Sequence, residues 1–387
     1  MKVAGLFCFS LISVSVCLGQ TGSGFEKIRL SPDFVSEGVS VADVNKDGKK
    51  DVLAGYYWFE APNWTRHEIV PARVFDPTKE YSNSFVNGAF DVNSDGWPDQ
   101  LIVDFPGDPG YWFENPGKKT GAWKKHFIYD TLGIGNESPA FIDIDGDKRP
   151  DLLCSDVDKK QLIWLKSPTK KGDTTWTRFS ISEENAPATD KFSHGLGFGD
   201  MNGDGVKDVI IKEGWYESPR DPKKSGWVFH PAAFGEDCSQ MQAYDVNKDG
   251  KTDVVSASAH RLGIWWYEQS DSSGTPVFKR HVISDVVSQT HSSSLTDLNS
   301  DGKPDFITGK RYLAHHAAKD PGTDAPSLLI WFESNPDKEP YWTQHVIDND
   351  SGSGLHVVVD DMDKDGKTDI IVSNKKGVFI FLNRIKS

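Results

Sequence analysis

The chain has 387 residues, 37% hydrophobic and 26% charged, too apolar for a disordered chain and too polar for a helical membrane bundle. Lys plus Arg number 43 against 57 Asp plus Glu, a formal charge of −14 that repels phosphate backbones and excludes nucleic acid as the expected partner. The length exceeds one ordinary compact domain, so several domains or one large repeat architecture is expected.

Lys2 opens a mainly apolar run over residues 3–18. The run is short for a bilayer span and placed as an export signal, with Gly19 as the small residue before cleavage. Residues 1–19 are therefore expected to be a signal peptide and residues 20–387 a secreted or periplasmic mature chain. Acylation at Cys17 fits less well, because Val16 is bulky where a small residue is needed. No later run is long enough to span a bilayer. Cys8 and Cys17 leave with the signal, and Cys154 and Cys238 are expected as buried thiols rather than as the staple of the fold.

A loop of the form Asp-x-Asn/Asp-x-Asp-Gly-x-x-Asp recurs along the chain. The first four copies are Asp43-Asn45-Asp47-Asp51, Asp91-Asn93-Asp95-Asp99, Asp143-Asp145-Asp147-Asp151 and Asp200-Asn202-Asp204-Asp208. Three more follow at Asp245-Asn247-Asp249-Asp253, Asp297-Asn299-Asp301-Asp305 and Asp361-Asp363-Asp365-Asp369. The third departs from the pattern, with Lys148 where the others carry Gly. A short strand precedes each loop and a β-rich run, such as Ile370-Ile371-Val372, follows it. An aromatic third strand comes next, as in Tyr57-Trp58-Phe59-Glu60 and Tyr111-Trp112-Phe113-Glu114. The fourth strand reads aromatic-x-x-His in five copies, ending at His67, His126, His230, His281 and His345. In the third copy, Trp176 to Phe179 lacks the histidine.

Four strands per unit, bounded by turn residues, predict an all-β fold: a seven-bladed β-propeller with four-stranded blades. The last copy has no fourth strand, and Phe25-Glu26-Lys27-Ile28 at the mature N-terminus matches the missing one. The first strand is thus expected to close the last blade and remove the open sheet edges. A linear solenoid would need capping units and would leave that strand unexplained. The closely spaced oxygen donors suit calcium, several ions and up to seven, as a folding staple in place of disulfides.

These repeats resemble FG-GAP/VCBS repeats of integrin-type propellers, and Gly197-Phe198-Gly199-Asp200 retains the Phe-Gly of that name. The resemblance implies that each calcium loop joins the first and second strands of a blade on one face of the disc. Tyr111 to Pro116, together with the Trp-x-x-His strands, is also similar to the propeller domain of fungal aldos-2-ulose dehydratase. That likeness implies carbohydrate as partner and a lyase or dehydratase chemistry.

Six histidines remain outside the fourth-strand pattern: His194, His260, His291, His315, His316 and His356. All are expected on the face opposite the calcium loops, at first-strand starts or in loops between second and third strands. Glu37 and Glu137 share the first-strand register. His194, His291 and His356 with Glu37 and Glu137 would suit a transition metal such as zinc or manganese. The long loop 310–327 adds Lys310, Arg311 and Tyr312 beside His315 and His316. With His260, these supply candidates for acid–base work and carboxylate binding. The expected function is a secreted carbohydrate-active carbon–oxygen lyase, eliminating beside a carbonyl of a keto-sugar or uronate. A non-catalytic glycan- or protein-binding propeller is the alternative.

Overall fold

A computed structural model describes residues 19–20, 24–119, 121–235, 237–272, 275–315, 320–337, 339 and 341–386. The expected signal peptide lies outside these residues except for Gly19, and His316 is also outside them. Among the described residues every regular element is a strand. Second and third strands such as Asp99–Val103 and Gln161–Lys166 are almost wholly buried, which their near-continuous apolar runs dictate. Fourth strands such as Lys124–Phe127 are mostly exposed and carry the charged residues.

Repeats 1, 2, 3 and 6 each form a separate four-stranded antiparallel sheet in chain order. The first runs Ser40–Ala42, Asp51–Ala54, Tyr57–Glu60 and Thr65–Glu68. A fifth separate sheet holds repeat 7, where Gly377–Asn383 pairs with Phe25–Ser31 from the other end of the chain. Gly19–Gln20 adds a short outer strand to it. The fold is thus an all-β propeller with four-stranded blades.

The expectation of seven separate sheets is corrected, because repeats 4 and 5 share one eight-stranded sheet. Their first strands, Leu196–Gly199 and Gln240–Tyr244, pair in parallel at Leu196↔Gln240 and Gly197↔Met241. Gly197 makes this approach possible, since a Cβ there would sit 2.6 Å from the Met241 carbonyl oxygen. Five single-blade sheets and one double sheet result.

The core lies between the repeats. Leu101 and Trp112 of repeat 2 pack with Leu152 and Ile163 of repeat 3. Trp215 of repeat 4 packs with Tyr267 of repeat 5, and Trp331 of repeat 6 with Phe379 of repeat 7. Another cluster joins Ile371 and Ile380 of repeat 7 to Val52 and Phe59 of repeat 1, so the two ends of the array meet. Cys154 and Cys238 are buried free thiols within these clusters. Among the described residues, no helix is long and apolar enough to cross a membrane.

Candidate metal and acid–base site

The Asp loops lie at one end of the blades. In the first, Asp43 accepts from the N–H groups of Asp47 and Gly48 at 3.0 and 2.9 Å, and Asn45 Oδ1 accepts from Asp47 at 2.9 Å. These bonds fold the loop around three oxygen-bearing side chains. Asp43, Asn45 and Asp47 form a hard donor set that fits calcium.

The ninth-position acid also binds the backbone. Asp51, Asp99, Asp151, Asp208, Asp253, Asp305 and Asp369 are all fully buried. Each uses both carboxylate oxygens to accept backbone N–H groups. Asp51 takes Val44 and Ala61, both at 2.9 Å, while Asp99 takes Val92 and Asn115, both at 2.8 Å. Asp253 and Asp369 repeat the arrangement. Satisfying orphan N–H groups at the loop start and the third-strand exit makes this residue a clamp of the fold.

Antiparallel pairing puts the start of each first strand, and the loop after each second strand, at the opposite end of the blade. There the structure gathers four of the predicted histidines. The ring centroids of His194 and His260 lie 4.5 Å apart, those of His194 and His291 5.3 Å, and those of His260 and His291 5.1 Å. One ring nitrogen from each of the three falls within 4.8 Å of the others. The His315 ring lies 4.5 Å from that of His260, tilted by 35°, and its Nδ1 lies 2.7 Å from Asp320 Oδ2.

Nε2 of His291 and Nε2 of His194 are buried with no hydrogen-bond partner. Glu137 Oε2 lies 3.3 Å from His194 Nε2. Burial pushes His291 well below the usual imidazole range and His260 down to about 4, with neighbouring positive charge adding to both. Both are neutral at pH 7 and keep a lone pair for a metal. Nitrogens without hydrogen-bond partners and three converging imidazoles fit a zinc-type centre with an open position.

A cavity of about 290 Å³ opens against this cluster, lined by His194, His260, His315, Glu137 and Arg311. Its other wall is aromatic. Phe105 packs against Phe85, Phe192 and Tyr81 with centroids 5.3, 5.5 and 6.0 Å apart. Behind it, the Arg311 guanidinium donates to Glu37 Oε1 at 3.1 Å, both groups being buried. Burial pushes the Glu37 carboxyl up to about 7, against the pull of Arg311 and Lys375.

Four predicted residues stand apart. His356 donates through Nδ1–H to the Val39 carbonyl at 3.1 Å and lines a different cavity with Val41, Gly88 and Phe141. Its position, one residue out of register with His194 and His291, turns it toward neighbouring first strands. Lys310 Nζ donates to the Ala325 carbonyl at 3.0 Å, and the Tyr312 ring lies under the Lys376 ammonium at 4.9 Å. Glu37 faces Arg311 and is not in the histidine cluster. Asp320, Tyr81, Phe105 and Phe192 were not expected.

Burial pushes His356 down to about 4. A depressed folded value means unfolding takes up a proton, so this group's stabilisation is complete above about pH 6.5 and is lost as pH falls toward 4. Wild-type stability should therefore fall across that window more steeply than that of His356→Gln, by about 1.4 kcal/mol per pH unit. Denaturant titrations of both proteins at several pH values check this.

Residues 91–154 and 245–308 match the family model described as FG-GAP-like repeat. The chain thus carries FG-GAP-like repeats in a propeller arrangement. A search of curated proteins finds no match. Among solved structures, BBS1N in complex with ARL6DN is 8% identical, with 90% of this chain and 92% of that chain covered and a TM-score of 0.50. The exotype rhamnogalacturonan lyase YesX is 12% identical, covering 97% and 76%, with a TM-score of 0.49. A lectin of Agrocybe aegerita that recognises non-reducing terminal N-acetylglucosamine is 14% identical, covering 94% and 87%, with a TM-score of 0.47. At these identities the likeness concerns the fold alone. The comparisons do not show the expected likeness to aldos-2-ulose dehydratase.

Proposed function

We propose that this chain is an exported, calcium-stabilised propeller of seven blades, the double sheet being two of them, that acts as a carbon–oxygen lyase on acidic carbohydrate. The observation that carries this reading is the convergence of His194, His260 and His291, with His194 and His260 lining a cavity that also holds Arg311 and His315, the latter paired with Asp320.

His194, His260 and His291 would hold the metal, and zinc suits three imidazoles better than manganese does. When bound, it supplies Lewis-acid polarisation of a carboxylate or carbonyl oxygen. Arg311 is placed to pair with the substrate carboxylate, its guanidinium being fixed from behind by Glu37. The wall of Phe105, Phe85 and Tyr81 offers an apolar surface to the C–H face of a sugar ring.

Asp320 holds the Nδ1 proton of His315 and leaves Nε2 as the base. His315 takes the proton from the carbon beside the carboxylate, and the released electron pair forms the C=C bond. The neighbouring C–O bond breaks, and the protonated His315 returns its proton to the departing oxygen. Atoms and charge balance without a further reactant.

Incubation with uronate oligosaccharides and keto-sugars, followed by the ultraviolet absorbance of unsaturated product, tests this. Wild-type protein should accumulate product, and His194→Ala/His291→Ala should be slower by at least about 100-fold. Glycan binding without product, or unchanged turnover in the variant, rejects the lyase and favours a binding module.

A further inference from the structure

We infer that the Asp143–Asp151 loop of repeat 3 takes no calcium, because Lys166 is its built-in cation. In five repeats the residue at the end of the third strand is a glutamate: Glu60, Glu114, Glu217, Glu268 and Glu333. Each accepts from the fourth-strand histidine at 2.7–3.0 Å, and each of those histidines stacks on the third-strand tryptophan at 4.2–4.5 Å. In three of the five, the loop asparagine also donates to that glutamate, as Asn45 does to Glu60 at 2.9 Å. The amide nitrogen is thereby turned away and the amide oxygen is left to the loop.

Repeat 3 changes all three positions together. Asp145 replaces the asparagine, Lys166 the glutamate and Phe179 the histidine, while Phe179 keeps the stack on Trp164 at 4.6 Å. The Lys166 ammonium lies 2.5 Å from both Asp145 Oδ2 and Asp147 Oδ2. Lys223 adds a second contact to Asp145 at 2.9 Å. Asp145 and Lys166 are largely withdrawn from solvent, at 2% and 17% exposure, so the pair is screened little. Carboxylate oxygens of Asp143, Asp145 and Asp151 do converge here, but the ammonium already bridges the fifth-position and third-position acids.

Other loop lysines differ in kind. Among the acids of their own loops, Lys49, Lys251 and Lys303 each touch the fifth-position one alone, at 3.1–3.6 Å, and Lys303 also lies 3.9 Å from Asp337 outside the loop. Turning a glutamate into a lysine beside the cation position shifts the local charge by two units, while the added aspartate returns only one. The loop also has Lys148 at the glycine position, held at φ 70°. Repeat 7 shows a related device: Asp363 stands for the asparagine, and Arg384 reaches Asp363 and Asp365 at 2.8 and 3.0 Å from a more exposed position.

Calcium stoichiometry of the full chain, by equilibrium dialysis of chelator-treated protein against calcium alone, tests the inference. Lys166→Gln/Lys223→Gln should bind one more calcium per chain than wild type. The converse triple variant Asn45→Asp/Glu60→Lys/His67→Phe, which gives repeat 1 the chemistry of repeat 3, should bind one fewer. Circular dichroism confirms that each variant is folded. An unchanged count in both folded variants would overturn the assignment. Both counts are independent of the histidine site, so the lyase reading can fail while this one stands.

Discussion

Replacing Asp369 by asparagine is expected to lower the unfolding free energy by roughly 2–4 kcal/mol, from one or two unpaired buried groups at about 1–3 kcal/mol each. Asp369 is fully buried and accepts from Met362 at 2.8 Å and Asn383 at 2.7 Å. Asparagine has nearly the same shape but offers one acceptor and two donors, so its amide nitrogen would face a backbone N–H. The site matters for more than its own loop, because Asn383 belongs to the strand that pairs with Phe25–Ser31 at Phe25↔Asn383. Loosening it loosens the joint between the two ends of the chain. Urea titration in chelator should show a lower midpoint with an unchanged slope, which separates lost stability from a changed unfolded state.

The ring was legible in the sequence because its signals are local and repeated. Asp-rich loops, aromatic third strands and the orphan strand at Phe25 each depend on residues a few positions apart, and the pairing of Gly377–Asn383 with Phe25–Ser31 follows from counting them. The shared sheet of repeats 4 and 5 was not legible, since it depends on how closely Gly197 lets the backbone of Met241 approach. That the last Asp of each loop also clamps the backbone was not legible, because spacing reports an oxygen donor and not its burial. Strand direction alone led to the expectation of His194, His260 and His291 at one end of the blades, and the structure brings a ring nitrogen of each within 4.8 Å of the others. Asp320 and the Phe105 wall were missed because they meet the histidines only when loops from several repeats converge. The exchange of Glu for Lys166 was visible all along, as a break in a pattern held by Glu60, Glu114, Glu217, Glu268 and Glu333.

His315→Gln should lower kcat on a productive uronate substrate by roughly 10²–10⁴-fold, the usual weight of a positioned general base. KM should change little, since Arg311, rather than the imidazole, is proposed to hold the carboxylate. Asp320→Asn should give a smaller loss of kcat, because the base survives while the tautomer that Asp320 fixes at 2.7 Å does not. Steady-state kinetics of the two variants separate the roles. A loss confined to KM in both would make the pair a binding element.

The most direct measurement on the central claim is elemental analysis of the purified chain after exposure to zinc and removal of loosely bound ions. The account predicts one transition-metal ion per chain, lost in His194→Ala/His291→Ala and retained in His356→Gln, whose ring lies in another cavity. A wild-type chain that retains none, or a double variant that retains as much as wild type, would contradict it.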